Sequence, residues 1–245
     1  MKPAIILIEP QLGENIGMVT RAMWNCALTD LRLVRPRDHW LNEHTIKSAA
    51  GAGHRVKEVK VFDTTKEAIA DLEWVFATTA RQRNMEKKVA TPKQAADHMI
   101  ENPHQKMGIL FGRERFGLHN DDITLANAII EIPLNPEYCS LNLAQAVLVC
   151  SYEYHQAQLI TPPPTETTGM TNPPVSKENL INFFEHLEEE LDKANFFFPE
   201  EKRPKMTRNL RNMFQHTPLS EQDVRTLRGV ISALTFKKGS PYKGS

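Results

Sequence analysis

Short runs of consecutive apolar residues recur through the first part of the chain. They predict six buried β-strands, at residues 4–8, 31–34, 59–62, 75–79, 107–111 and 128–132. Between the strands the apolar residues follow helical spacing, as at Val19, Ala22, Met23 and Cys26. Asn15 is predicted to be the N-cap of that helix. Strands that alternate with helices predict an α/β fold, a parallel sheet with helices on both faces.

The stretch after the last strand carries the clearest change of pattern. Pro133 ends the strand, and a polar loop at 135–140 follows it. From Leu143 onward the chain is apolar on nearly every helical face, which predicts a fully buried helix. Backbone N–H groups at the start of that helix could hold a ligand, although an ordinary strand-to-helix turn has the same pattern.

Three of the predicted strands run into loops that contain polar residues or glycine, at 78–81, 112–114 and 133–142. Ligands of parallel sheets bind outside the carboxyl ends of the strands. We therefore expect a binding site where these loops meet.

The remainder of the chain reads as a separate helical unit. A linker rich in proline and threonine at 161–174 excludes helix and central strand. Beyond it, apolar stripes such as Leu180, Phe183 and Phe184 predict helices, and Ser220 with Asp223 resembles a capping box. The predicted domains are 1–160 and 175–236, followed by a flexible tail at 237–245.

Two groups of basic residues are candidate contacts for a nucleic-acid backbone. One lies in the loop after the fourth strand and contains Arg81 and Arg83, and the other is a run without an acid that comprises Lys202, Arg203, Lys205, Arg208 and Arg211. A solvated surface is the alternative explanation for each group.

Bulk composition narrows the other possibilities. The 245 residues include 30 basic and 30 acidic ones, so any nucleic-acid site must come from local clustering of charge. The three cysteines form no C-x-x-C pair, which indicates reduced thiols and a cytoplasmic protein. Histidine spacing gives no support for a metal site, and we expect neither a signal peptide nor a membrane span.

Three motifs occur in order along the chain: N-x-G-x-x-x-R from Asn15 to Arg21, F-G-x-E-x-x-G-L around Glu114, and S-L-N-x-x-x-A from Ser140. Together they resemble the three motifs of the SpoU/TrmH class of SPOUT RNA methyltransferases. Within that class the chain is most similar to the TrmJ family of bacterial tRNA ribose 2′-O-methyltransferases. The resemblance covers about residues 5–154, and more loosely extends to about 234.

The resemblance implies a cofactor and an architecture. S-adenosylmethionine would bind in a cleft formed by a deep trefoil knot, lined by Thr78, Thr79, Ala80, Gly112, Ile132, Ser140, Leu141 and Asn142. It also implies a homodimer in which each active site receives Arg21 from the opposite subunit. Arg21 lies about 200° from Val19 around its helix, away from the apolar stripe, so it is either a solvated arginine or a group aimed at a site.

The resemblance also assigns catalytic roles. Arg21 matches the catalytic arginine, Asn15 would help to position the site, and Glu114 would tie the motif loops together. Ser140 and Asn142 would lie near the donor and the ribose. Because an arginine pKa exceeds about 12, stabilisation of the alkoxide or a grip on a phosphate is the more plausible role for Arg21, and action as a base stays open.

The implied function is metal-free transfer of a methyl group from S-adenosylmethionine to a ribose 2′-oxygen of tRNA. By family analogy the target is nucleotide 32 of the anticodon loop, a cytidine or uridine. A ribosomal RNA target and a catalytically silent RNA-binding module on the same fold are the alternatives.

Overall fold

The computed structural model describes residues 1–79, 87–160, 172–215 and 218–235. Several sequence-based predictions lie outside these ranges, namely Ala80, Arg81, Arg83, most of the linker and the C-terminal tail.

A parallel sheet forms the centre of the molecule. Its strands are β1 (Ala4–Ile8), β2 (Leu31–Val34), β3 (Lys60–Phe62), β4 (Trp74–Thr78), β5 (Lys88–Ala90), β6 (Met107–Phe111) and β7 (Ala128–Ile130). They are arranged in the order β3-β2-β1-β6-β4-β7-β5, and every pair is parallel. All six predicted strands are present within two residues of their expected ends, and β5 was not predicted.

Side chains of successive strand residues enter two separate cores. In β1, Ile5 and Leu7 join one buried cluster, whereas Ala4, Ile6 and Ile8 join the other, as the alternation of a pleated strand requires. The first cluster is covered by helices α1 (Gly13–Asn25), α4 (Pro92–Glu101) and α6 (Leu143–Ile160), and α2 (Glu43–Ala49) packs against α1. The second is covered by α3 (Thr65–Ile69) and α5 (Asn120–Thr124), and Ile181 from the C-terminal part of the chain also belongs to it.

Two predictions about these helices are wrong. Asn15 is not an N-cap, because α1 begins two residues earlier at Gly13, and Asn15 is a buried residue of its first turn. Helix α6 is not buried all round, because Leu148 and Tyr152 on its outer face are 41% and 52% exposed. The helix is apolar on both faces, yet only one face packs on the sheet.

The C-terminal helices are α7 (Lys177–Lys193), α8 (Arg203–Phe214) and α9 (Glu221–Thr235). They enclose a third apolar cluster that includes Leu180, Phe183, Phe184 and Val224. The predicted capping box is confirmed: the Ser220 N–H donates to Asp223 at 2.8 Å, and the Asp223 N–H donates to the Ser220 hydroxyl at 3.2 Å.

Two buried lysines lie where the C-terminal helices meet the residues that precede β7. The Lys177 amine donates to the Leu125 carbonyl at 3.0 Å, and the Lys87 amine donates to the Ala126 carbonyl at 2.6 Å. Burial lowers the pKa of each lysine to about 7. Lys87 follows the basic loop in sequence but points inward, so it does not extend a basic surface.

A candidate active site at the carboxyl edge of the sheet

The carboxyl ends of β6, β4 and β7, which are neighbours in the sheet, frame a cavity of about 330 Å³. A cavity of this size can enclose much of a small ligand. Its walls come from all three of the loops expected to meet, and its lining comprises Thr78, Thr79, Phe111 to Gly117, Ile130, Ile132, Leu134, Cys139, Ser140, Leu141, Leu143 and Ala146.

Most residues predicted to line a cofactor cleft do line this cavity. Thr78, Thr79, Gly112, Ile132, Ser140 and Leu141 belong to its wall. Asn142 does not line the cavity although its neighbours Leu141 and Leu143 do, and Ala80 is outside the described residues. Sequence reasoning missed Arg113, Arg115, Phe116, Leu134 and Cys139, which occupy variable motif positions or neighbouring loop positions. Their nearness to the three motifs in sequence was the available signal.

Gly112 is required by the fold of its own loop. A Cβ at this position would lie 2.1 Å from the Gly117 carbonyl carbon and 2.2 Å from the Leu118 nitrogen. The loop closes so tightly because the Gly117 N–H donates to the Arg113 carbonyl at 2.9 Å and Gly117 adopts a φ of +67°. Gly112 therefore permits the backbone of the loop to fold back beside the cavity.

One hydrogen-bonded chain links the three motifs. The Asn142 amide donates to the Asn15 side-chain oxygen at 3.0 Å, and the Asn15 amide donates to Glu114 at 2.9 Å. The Glu114 carboxylate also accepts the backbone N–H of Gln11 at 3.2 Å. Because Asn15 is 3% exposed, loss of either partner would leave a buried polar group unsatisfied.

Asn142 also fixes the start of α6. Its side-chain oxygen accepts the N–H of Ala144 at 2.8 Å, and its own N–H donates to the Gln145 side chain at 3.1 Å. The first turn of α6 is thereby anchored to the motif chain, and Ser140 and Leu141 are held against the cavity.

Arg21 is not part of this chain of contacts. Its side chain is exposed, and it has no hydrogen bond or ion pair with any described residue. It lies three residues after Met18, on the outward side of α1. Of the five predicted catalytic residues, the structure brings together Asn15, Glu114 and Asn142, places Ser140 in the cavity wall, and leaves Arg21 on the surface.

Three of the five residues in the predicted basic run of the C-terminal helices form ion pairs. Arg203 pairs with Asp192 at 2.5 Å, Arg211 with Glu188 at 2.6 Å, and Arg208 with Asp121 at 2.9 Å. Sequence reasoning did not foresee these pairs, because the acids lie on α7 and α5. Lys202 and Lys205 are the members of the run that have no such partner among the described residues.

No group of three or more histidine, cysteine or carboxylate side chains among the described residues could hold a metal ion. In the same ranges, no helix combines the length and the apolar character that a membrane crossing requires.

Comparison with known proteins gives concordant matches. The family model of the SpoU rRNA Methylase family matches residues 2–152, and the model of the C-terminal domain of tRNA methyltransferase TrmJ matches 178–243. A protein of Klebsiella pneumoniae named tRNA (cytidine/uridine-2'-O-)-methyltransferase TrmJ is 34% identical over 235 residues, or 94% of this chain and 95% of that protein.

Two solved structures are also similar. The crystal structure of TrmJ from Z. mobilis ZM4 has 45% identity and a TM-score of 0.86, and the match covers 96% of this chain and 99% of that one. A structure solved for the 2-OH methylation of C/U34 on tRNA has 25% identity and a TM-score of 0.51, over 64% of this chain and 95% of that one.

Proposed function

The chain belongs to the SpoU methylase family, and from that premise we propose that it transfers a methyl group from S-adenosylmethionine to a ribose 2′-oxygen of tRNA. The observation that carries the proposal is the hydrogen-bonded chain Glu114–Asn15–Asn142 beside the cavity. That chain joins the residues of the three motifs at one place. The relatives named as tRNA 2′-O-methyltransferases supply the substrate class.

The cavity suits the proposed donor. Ile130, Ile132, Leu134 and Ala146 give it apolar walls that fit the flat faces of adenine. Backbone N–H and C=O groups at the ends of β4, β6 and β7 can form hydrogen bonds with the edges of that ring. When bound, S-adenosylmethionine would supply an electrophilic methyl group. We also expect the polypeptide around the site to form the knot typical of the family.

The chain's own residues would position the second substrate. Ser140 and Asn142, held by Asn15 and the start of α6, would orient the ribose so that its 2′-oxygen lies in line with the methyl group. A free hydroxyl is a weak nucleophile, so its proton must become easier to lose. A guanidinium close to that oxygen would favour the charged form and stabilise the developing alkoxide.

We propose that this guanidinium is Arg21 of a second subunit. Helices α1 and α6 pack against each other and leave an exposed outer face with Met18, Leu148 and Tyr152, which are 38%, 41% and 52% exposed. An exposed apolar face of this kind is typical of a surface that pairs with another chain. Arg21 lies on the same side of α1 as Met18, so burial of this face in a homodimer would bring it to the interface.

The expected target is a pyrimidine ribose of the anticodon loop. Nucleotide 32 is the prediction from family analogy, and nucleotide 34 is the position treated in one related structure.

We propose Arg81, Arg83, Lys202 and Lys205 as contacts to the tRNA backbone. We also propose that residues 1–160 and 175–236 are two domains of a cytoplasmic enzyme, which pack against each other through Lys177 and Ile181.

Methyl transfer in vitro tests the proposal. Purified protein is incubated with S-adenosylmethionine carrying a labelled methyl group and with unmodified tRNA transcripts, with ribosomal RNA as the comparison substrate. We expect label in tRNA and protection of one phosphodiester bond from alkaline cleavage, because a 2′-O-methyl group removes the attacking hydroxyl. Label only in ribosomal RNA would change the substrate class. Absence of label together with no calorimetric binding of S-adenosylmethionine would contradict the enzymatic function.

A further inference from the structure

Three charged side chains form a continuous chain at the carboxyl edge of the sheet. The Glu9 carboxylate pairs with Arg35 on one side, at 2.8 Å, and with Arg113 on the other side, at 3.0 Å. Arg35 also donates to the Asp63 carbonyl at 2.9 Å, and Arg113 contacts the ring of His119. The roles assigned above to the three motifs involve neither Glu9 nor Arg35.

The sheet order explains how these residues meet. Arg113, Glu9 and Arg35 follow β6, β1 and β2, which are consecutive neighbours in the sheet. Strands of a sheet lie about 4.8 Å apart, so the three residues extend along about 10 Å of its edge. Because Arg113 also lines the cavity, this row of charged side chains begins at the candidate active site and extends along the edge of the sheet to β2.

The backbone at two of these positions is unusual. Glu9 has a φ of +48° and Arg35 a φ of +44°, a left-handed conformation that residues other than glycine rarely adopt. Each is held by a backbone bond that continues the ladder, from the Glu9 N–H to Val34 at 2.8 Å and from the Arg35 N–H to Phe62 at 3.0 Å. Such conformations cluster at active sites and ligand-binding sites.

The arginines remain accessible although they are paired. The Arg35 side chain is 46% exposed, and Arg113 is 25% exposed. Arg37 and Arg115 lie on the neighbouring loops, are exposed, and have no side-chain partner among the described residues. Of the acids near this edge, Glu114 is engaged by Gln11 and Asn15, and Glu9 by the two arginines. Asp38 and Asp63 are exposed.

We propose that the edge from β6 to β2 binds phosphates of the RNA strand next to the target ribose. Arg35, Arg37 and Arg115 would contact the phosphates, and Glu9 is a positioning residue that holds Arg35 and Arg113 in fixed orientations. Arginine suits this task because its planar fork of N–H donors matches phosphate oxygens. The inference rests on the proposed function, since it takes tRNA as the bound molecule.

The salt dependence of tRNA binding tests the phosphate contacts. Arg37→Ala, and the double variant Arg35→Ala with Arg37→Ala, are compared with wild type over a range of salt concentrations. Each lost contact should reduce the log–log slope by about 0.7 to 0.9, while calorimetric binding of S-adenosylmethionine stays unchanged. Lys106→Ala is the matched control, because this exposed lysine precedes β6 at the opposite edge of the sheet, and its slope should equal that of wild type.

Glu9→Gln separates positioning from charge. Removal of a negative charge should tighten tRNA binding if only net charge matters at this edge. If Glu9 orients the two arginines, the variant should bind tRNA more weakly although it is more positive. Tighter binding by Glu9→Gln would overturn its positioning role.

The remaining outcomes are distinct from one another. One outcome is that the arginine variants are folded by circular dichroism and have the same salt slope as Lys106→Ala. That result would overturn the proposed phosphate contacts and leave the proposed function intact. Wild-type protein that binds S-adenosylmethionine but no tRNA would overturn both.

Discussion

At Gly112 even one methyl group has no room, because the backbone of Gly117 and Leu118 closes over it. The motif identified this glycine as a cleft residue but did not reveal the fold-back that requires it. For Asn15, too, the motif identified the residue but did not reveal its structural role. The motif marked it, while its assignment as an N-cap was wrong, since its hydrogen bonds to Glu114 and Asn142 span more than ninety positions of sequence. Local patterns identify such residues, and only long-range contacts show their roles.

Gly112→Ala should disturb the cleft more than the rest of the protein. Relief of the clash requires the loop to move, and overpacking of this kind costs about 1–3 kcal/mol of stability. We expect weaker binding of S-adenosylmethionine by calorimetry and a lower midpoint of thermal unfolding. Gly51→Ala is the control, because a Cβ there meets no atom within 4 Å. Equal donor affinity in Gly112→Ala and Gly51→Ala would contradict the assignment of this loop to the donor site.

At the scale of elements, apolar runs were sufficient to predict β1, β2 and β6, which are buried at every position. Strand β5 was missed because it has three residues, of which Lys88 and Val89 are exposed. The order of the strands could not be predicted, since it depends on which distant segments pair. The exposed outer face of α6 was also unpredictable, because it has the same apolar composition as the face that packs on the sheet.

The buried lysines between the sheet and the C-terminal helices predict a rise in stability with pH. Their folded-state pKa of about 7 lies below the ordinary value of 10.5, so between these values the unfolded chain binds more protons. The full penalty of burying charge applies below pH 7, and it is relieved as pH rises from about 7 to 10. The Asp71 carboxyl titrates below this window, because its bonds to Arg32 outweigh partial burial and lower its pKa.

Denaturant unfolding at several pH values measures this effect. Wild type should gain stability between pH 6.5 and 9, and Lys177→Met should gain distinctly less, because it removes one of the two titrating amines. Lys57→Met, at an exposed position, should keep the wild-type pH dependence. Parallel curves for wild type and Lys177→Met would show that Lys177 is not a buried titrating group.

At the scale of the whole molecule, the C-terminal helices divide their basic residues between two tasks. Arg211 pairs with the largely buried Glu188 and joins α8 to α7, whereas Lys205 has no partner among the described residues. Arg211→Ala should therefore destabilise the protein by about 3 kcal/mol or more, because it leaves a buried carboxylate unpaired. Lys205→Ala should change stability by no more than about 0.5 kcal/mol.

Binding measurements complete that comparison. Lys205→Ala should lower the salt slope of tRNA binding by about 0.7 to 0.9 while its unfolding curve matches wild type. A wild-type slope for Lys205→Ala, combined with a normal unfolding curve for Arg211→Ala, would contradict this division between binding and structure.

The central claim is that each active site combines the cleft of one chain with Arg21 of the other. Arg21→Ala should stay folded, bind S-adenosylmethionine normally and lose about 10²–10³ in methylation rate, since it removes a group that stabilises developing charge. Asn142→Ala should also be inactive, because it damages the cleft of the chain that carries the substitution. A heterodimer of the two variants contains one site with both defects and one site with neither.

Methylation by that purified heterodimer is the most direct test. If the sites act independently, it should recover about half the activity of a wild-type dimer, although both parent homodimers are nearly inactive. Native mass spectrometry verifies that each particle contains one copy of each variant. A verified heterodimer as inactive as its parents would show that Arg21 serves the site of its own chain, and would contradict an active site shared between two subunits.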